Sequence, residues 1–141
     1  LSYGDWLRGS LWAWPALEVV HIAGIALLVG SLVVLELRVL GLARALPLPA
    51  LARLALPVSL AGFGLAAASG LLMFAADTDT LLVHPAFRAK MLLLMAAGLN
   101  AALFHARGGL VRVDATARLQ VAGSLLLWLA VIVAGRLIAY I

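Results

Sequence analysis

The sequence predicts an all-α integral membrane protein, a four-transmembrane-helix up-down bundle forming one domain over residues 1–141. Three observations predict it. Of the 141 residues, 66% are hydrophobic and 11% charged, where a soluble domain carries roughly 45–50% and about 25%. The apolar residues fall into four runs, each near the roughly 20 residues that cross a bilayer. The connections are short and hold proline, glycine and charge, which places consecutive helices antiparallel. A soluble fold of this length has too little interior for so much apolar surface. Soluble enzymes, nucleic-acid-binding modules and disordered tails are therefore excluded, and the expected partner is the lipid bilayer.

The first run extends from about Trp12 to Leu40, with Trp12 and Trp14 at its start, where indoles mark the membrane–water interface. Pro47 and Pro49 in the connection stop that helix before the next begins. The second run is 54–76, ended by Asp77-Thr78-Asp79-Thr80, whose second Asp or Thr is placed to cap the next helix. The third is 87–105, broken by Gly108-Gly109, and the fourth is 117–141. No internal repeat is visible, and no linker separates two domains. The chain begins at Leu1 rather than Met, so a missing initiator or leader is expected, and no signal peptide is legible in the residues present.

The formal net charge is +4, with no cysteine. Without thiols, disulfides, cysteine-ligated zinc, iron–sulfur clusters and covalently attached haem are excluded. Nearly every basic residue stands at the end of an apolar run, as anchors and topology signals do. The face that holds both termini carries Arg8, Arg88, Lys90 and Arg136 with Asp5, Glu18, Asp77 and Asp79. The opposite face carries Arg38, Arg44, Arg53, Arg107, Arg112 and Arg118 against Glu36 and Asp114. Its basic excess predicts a cytoplasmic location, with both termini periplasmic, in a bacterial inner membrane.

Polar groups in apolar runs are costly and informative. Glu18 and His21 lie one turn apart, with His21 about 10 Å below the terminal face at 1.5 Å per residue. Gly24, a turn further, leaves room for a flat group or another backbone. His21 reads either as a histidine bonded to a neighbouring helix or as a ligand or proton relay. His84 precedes Pro85 at the mouth of the third helix, and His105 closes it at the other face; each also reads as a plain surface histidine. Gly62, Ala66 and Gly70 form a small-residue stripe suited to close helix packing. Asn100 is placed to bond across the bundle. Arg136 is placed either to pair with Glu18 or to hold an anionic ligand, alone or with Arg88 and Lys90.

No nucleophilic triad, mid-membrane carboxylate pair, phosphate-binding glycine loop or HExxH motif is present. Axial imidazoles and a cationic rim are instead what haem b requires of a helix bundle. His21 and His84 offer the imidazoles, and Arg88, Lys90 and Arg136 offer partners for the propionates.

The run Trp14-Pro15-Ala16-Leu17-Glu18-Val19-Val20-His21-Ile22-Ala23-Gly24 resembles the first helix of an uncharacterised bacterial family of four-helix inner-membrane proteins. Leu37–Gly41, His84–Lys90, Leu99–His105, Ser124–Trp128 and Gly135–Tyr140 extend the resemblance over nearly the whole chain. Its layout is similar to copper-resistance-D-like proteins and b-type transmembrane cytochromes. The resemblance implies haem b by analogy of fold. It favours His21 and His105, since the family also takes Asn where His84 stands. Geometry opposes that pair: their heights differ by about 15–20 Å, so one iron cannot reach both. The expectation is His21 with His84, with His105 open as an alternative or as a second site completed by another subunit.

The leading expectation is thus a haem b-binding electron-transfer protein or cytochrome-like subunit, with quinone as a partner. A non-enzymatic accessory or assembly subunit of a larger membrane complex, or a homo-oligomer, is the competing reading. A copper-handling protein is the third, resting on three histidines with Met73, Met91 and Met95.

Overall fold

The computed structural model describes residues 2–140 and contains six helices: α1 (Tyr3–Gly9), α2 (Ala13–Val39), α3 (Leu48–Ala76), α4 (Thr78–Leu82), α5 (Pro85–Ala106) and α6 (Ala115–Leu137). Four of these, α2, α3, α5 and α6, are long and apolar enough to cross a membrane. They form the expected all-helical four-helix bundle. Most of their apolar side chains face outward, among them Leu60, Leu71, Leu92 and Leu126, where lipid rather than protein solvates them. Helix α6 ends at Leu137, short of the expected end at 141, and the ends of the predicted domain, Leu1 and Ile141, lie outside the described residues.

Local chemistry explains the boundaries. At the end of α2, Gly41 takes φ +108°. The Gly41 amide donates to the Arg38 carbonyl (3.1 Å) and the Leu42 amide to the Leu37 carbonyl (3.0 Å), the paired closure of a Schellman cap. The end of α5 repeats it. Gly108 (φ +67°) donates to His105, and Gly109 donates to Phe104. The Phe104 ring fills the space a side chain at Gly109 would occupy.

The second span starts at Leu48, six residues before the expected Leu54. Pro47 is its N-cap and Pro49 lies in its first turn, where a missing amide costs nothing and the fixed φ favours entry. Pro49 therefore helps to start this helix. At the other end, Asp79 and Thr80 lie within the short α4 instead of capping α5. The cap of α5 is His84.

Helix α1 was not separable by composition. Ser2 Oγ accepts from the Asp5 amide at 3.1 Å to cap it. Its side chains then tie it to the end of α3: Tyr3 Oη donates to the Leu72 carbonyl (3.1 Å), and Arg8 Nη1 pairs with Asp77 Oδ1 (3.3 Å).

The bundle is two hairpins. In the first, α2 and α3 pack backbone to backbone. A Cβ at Gly24 would stand 2.6 Å from the Ala66 nitrogen, and one at Gly62 would stand 2.5 Å from the Leu28 nitrogen. Gly62 and Ala66 thus serve the close packing that small residues permit. In the second hairpin, Asn100 Nδ2 donates to the Gln120 carbonyl at 2.8 Å, so Asn100 does bond across the bundle. A seam between α2 and α6 joins the hairpins, whereas α3 and α5 never approach within 8 Å, Cα to Cα. All four spans converge at one end, where Leu35, Val39, Leu48, Ala52, Phe104, Ala117 and Val121 form the buried core. At the other end, Phe74 and Phe87 stack across the gap between α3 and α5, centroids 5.4 Å apart and planes 5° from parallel.

The α5–α6 connection is fastened by Asp114. Its Oδ1 accepts from the Ala117 amide (2.8 Å) to cap α6, and its Oδ2 pairs with Arg107 (3.2 Å). The Ala117 amide first, and the Arg107 guanidinium with it, hold the Asp114 carboxyl below the usual carboxylate range. The charged cap therefore persists well into acid and is lost only as pH falls through that lowered value.

Ala43, in the α2–α3 connection, adopts φ +51°, which costs an L-residue about 1–2 kcal/mol, against about 0.5–1 kcal/mol of extra backbone entropy for glycine. Ala43→Gly is expected to raise the midpoint of thermal unfolding in detergent. A lowered midpoint would show that the left-handed conformation is not strained.

Candidate functional site

His21 is half-buried on α2 and turned against α3. Its Nδ1 lies 2.9 Å from the Ala66 carbonyl oxygen and 3.1 Å from Ser69 Oγ. A carbonyl only accepts, so Nδ1 carries the proton. In the neutral ring Nε2 is then a bare lone pair. Ser69 is fully buried and donates its own hydroxyl proton to the Leu65 carbonyl at 2.7 Å, leaving its oxygen free to accept from Nδ1. The ring edge lies over Gly70, where a Cβ would stand 3.3 Å from His21 Cε1. The small-residue stripe thus seats the imidazole at its outer end as well as packing the helices. Among the described residues, Nε2 has no hydrogen-bond partner.

Lys90, on α5, is also half-buried, and its charge acts on the His21 ring. Its ammonium reaches over α6, 3.4 Å from where a Cβ at Gly135 would stand. No carboxylate pairs with it among the described residues. The two hairpins therefore bring together an imidazole with a free nitrogen lone pair and a cation without a counter-ion. This juxtaposition was not legible in the sequence, which placed Lys90 on a rim with Arg88 and Arg136.

The other predicted site residues are placed differently. At Gly24 the backbone of α3 occupies the space a side chain would fill, so close helix packing accounts for this glycine and no room remains for a flat group. His84 Nδ1 accepts from the Ala86 amide at 3.1 Å as the cap of α5. An accepting Nδ1 leaves the proton of a neutral ring on Nε2. His84 must give up this cap before its Nε2 can bind a metal. His105 is exposed at the far end of α5, its ring edge-on to Phe104.

Arg88 Nε donates to the Leu82 carbonyl (2.7 Å), closing the turn after α4. Arg136 does not pair with Glu18. Its Nη2 donates to Tyr140 Oη (2.7 Å) and its guanidinium lies 4.8 Å from that ring centroid. Tyr140 sits one turn on, and this local partner takes the cation that a similar depth assigned to Glu18. Glu18 is exposed on α2.

No cluster of three or more histidine, cysteine or acidic side chains able to hold a metal ion occurs among the described residues. Met95 is 70% exposed, so it does not line an internal path.

Glu36 escaped sequence reasoning as a site residue, because Arg38 two positions on made it read as part of the polar edge. Helix α2 continues through it, and its side chain is buried, at 7% exposure. Ser124 Oγ donates to Glu36 Oε1 at 2.6 Å, while Oε2 is buried with no hydrogen-bond partner. An acid inside a hydrophobic stretch, facing a serine on another span, was the available signal.

Among the described residues, recesses occur at two places that bear on the site. One, of about 140 Å³, lies in the α2–α6 seam with Glu36 and Trp128 in its wall. The other, of about 480 Å³, lies between α1 and the polar turn at Asp77–Thr80. Neither is lined by a histidine.

Fold and site together define a four-helix, multi-pass membrane protein with a half-buried imidazole on one hairpin and a half-buried ammonium on the other. The chain matches no protein-family model, no curated protein and no solved structure.

Proposed function

We propose that the protein is a haem b-binding membrane electron-transfer subunit, quinone-linked, with His21 as the axial ligand. One observation carries this reading: His21 is anchored through Nδ1 on the Ala66 carbonyl, and its Nε2 has no partner among the described residues. An unpartnered imidazole nitrogen and a lysine without a counter-ion are each costly inside a membrane, and a ligand with a metal centre and an acidic edge would satisfy both.

The donor chemistry fits the group. Metal-bound histidines commonly donate the second ring nitrogen to a carbonyl, which fixes the tautomer and aims the free lone pair. The Ala66 carbonyl does this for His21. Lys90, which has no carboxylate partner among the described residues, would be available to neutralise a carboxylate edge. Haem b, when bound, supplies a one-electron iron couple. Arg88 and Arg136, both exposed near the same end, are available to a second carboxylate only by leaving their local partners.

An optical spectrum of the purified protein, oxidised and then dithionite-reduced, tests the proposal. The expected result is a b-type reduced spectrum. A colourless protein that copurifies with larger subunits would overturn it in favour of a non-enzymatic accessory subunit.

The orientation proposed is a bacterial inner membrane with both termini periplasmic. Arg38, Arg44, Arg53, Arg107, Arg112 and Arg118 all stand at the end where α2 and α5 finish and α3 and α6 begin, and cytoplasmic loops are the basic ones. Cysteines introduced at Tyr3 and Arg112 are expected to react with membrane-impermeant reagents from opposite sides, Arg112→Cys from the cytoplasm. Labelling of Arg112→Cys from outside intact cells would reverse the orientation.

A further inference from the structure

The haem site proposed above makes no use of Glu36. This carboxyl is 7% exposed. Its Oε1 is held by Ser124 at 2.6 Å, and its Oε2 has no protein partner. It forms part of the wall of the α2–α6 recess, whose other walls are Val29, Leu32, Val33, Leu125, Trp128, Leu129 and Ile132. Leu129 and Ile132, at the lip, are 59% and 41% exposed, so the recess opens sideways toward lipid rather than toward water. Its volume of about 140 Å³ is close to the roughly 150 Å³ of a dry apolar cavity that accepts one benzene ring.

Two ligand chemistries would satisfy Oε2. A carboxylate would call for a lipophilic cation, but an ionised carboxyl without a counter-ion in such a setting is very costly, and no cationic side chain lines the recess. A neutral acid costs far less and presents an O–H. That O–H, in an apolar slot the size of one ring, matches a ring carrying a carbonyl oxygen.

We propose that Glu36, held by Ser124 as a neutral carboxylic acid, is a lipid-accessible binding site for a quinone-type ring, donating its proton in a hydrogen bond to the ring carbonyl. This deepens the quinone-linked part of the function proposed above and rests on it. Ser124 positions the acid by occupying Oε1, which leaves Oε2 as the oxygen without a partner. Leu125, Trp128 and Leu129 enclose the ring's faces, and the isoprenoid or alkyl tail leaves past Leu129 and Ile132 into the bilayer.

Dicyclohexylcarbodiimide reads both halves of the proposal. The acid O–H adds across one C=N bond of the reagent: the proton goes to nitrogen and the carboxyl oxygen to the central carbon. The acyl group then moves from oxygen to nitrogen, and the stable adduct retains every atom of both reactants. The expected result, by peptide mass spectrometry on the purified full chain in lipid nanodiscs, is labelling at Glu36 that is absent in Glu36→Gln. A short-tailed benzoquinone at ten times its dissociation constant is expected to slow that labelling by about tenfold, as single-site occupancy requires. Ser124→Ala is expected to keep the label and weaken the protection.

Absence of label at Glu36 in the folded wild-type protein would overturn the neutral, accessible acid. Labelling that the benzoquinone does not slow, or that only a lipophilic amine slows, would overturn the ligand class. The optical spectrum of the same samples keeps the two proposals apart. Protection in a colourless preparation removes the haem and leaves this site, whereas unprotected label in a haem-loaded preparation removes only this site.

Discussion

His21→Ala is expected to leave a four-helix protein that purifies with no b-type absorption. The His21 Nδ1 donates to the Ala66 carbonyl at 2.9 Å, which leaves the Nε2 lone pair free. Removing the ring would take away the proposed iron ligand and leave the helix packing at Gly24 and Gly62 intact. Lys90→Gln is expected to lower haem retention during purification without changing the spin state of what remains, because it loses charge and not a ligand. His84→Ala is expected to leave the spectrum unchanged and to lower stability by about 1 kcal/mol through the lost cap. Conversion of a low-spin to a high-spin spectrum in His84→Ala would show that His84 leaves its cap to ligate. Full haem occupancy in His21→Ala would end the assignment.

The largest expected effect on folding comes from the α2–α3 seam. A side chain at Gly62 meets the backbone of α2, with a Cβ 2.5 Å from the Leu28 nitrogen and 2.6 Å from the Gly24 carbonyl oxygen. Backbone cannot rotate aside as a long side chain can, so the helices must separate along the seam. Overpacking typically costs about 1–3 kcal/mol and more where nothing yields, and Gly62→Leu belongs at or above the upper end. It is expected to lower the thermal midpoint in detergent sharply and, by displacing Ala66, to loosen His21. Gly64→Leu, on the same helix with open space where its Cβ would stand, is expected to leave the midpoint nearly unchanged. Equal losses in both variants would show that close packing at Gly62 is not the cause.

The four spans were legible because lipid imposes an apolar run of fixed length, whatever the tertiary contacts. The start of α3 was less so, since proline both ends and opens helices, and only the fold shows that Pro49 opens this one. His84 and Glu36 show the limits for single residues. His84 shares the terminal face with His21, which left a ligand and a plain surface histidine both open, whereas its Nδ1 serves the Ala86 amide. Glu36 sits near Arg38 in sequence yet is buried against Ser124, 88 positions away. His21 was readable from its depth, but its anchor on Ala66 and its neighbour Lys90 come from helices whose mutual register no single run encodes.

The separation of α3 from α5, bridged at one end by the Phe74–Phe87 stack, bears on how the molecule is made. The α2–α3 hairpin emerges from the ribosome first, and its glycine seam needs nothing from the rest of the chain. His21 is therefore anchored on Ala66 while the second hairpin is still being synthesised. Lys90 joins it only when α5 and α6 have been inserted and docked along α2. Docking of the second hairpin along α2 is thus the last packing step, and it closes the α3–α5 side only through the Phe74–Phe87 stack.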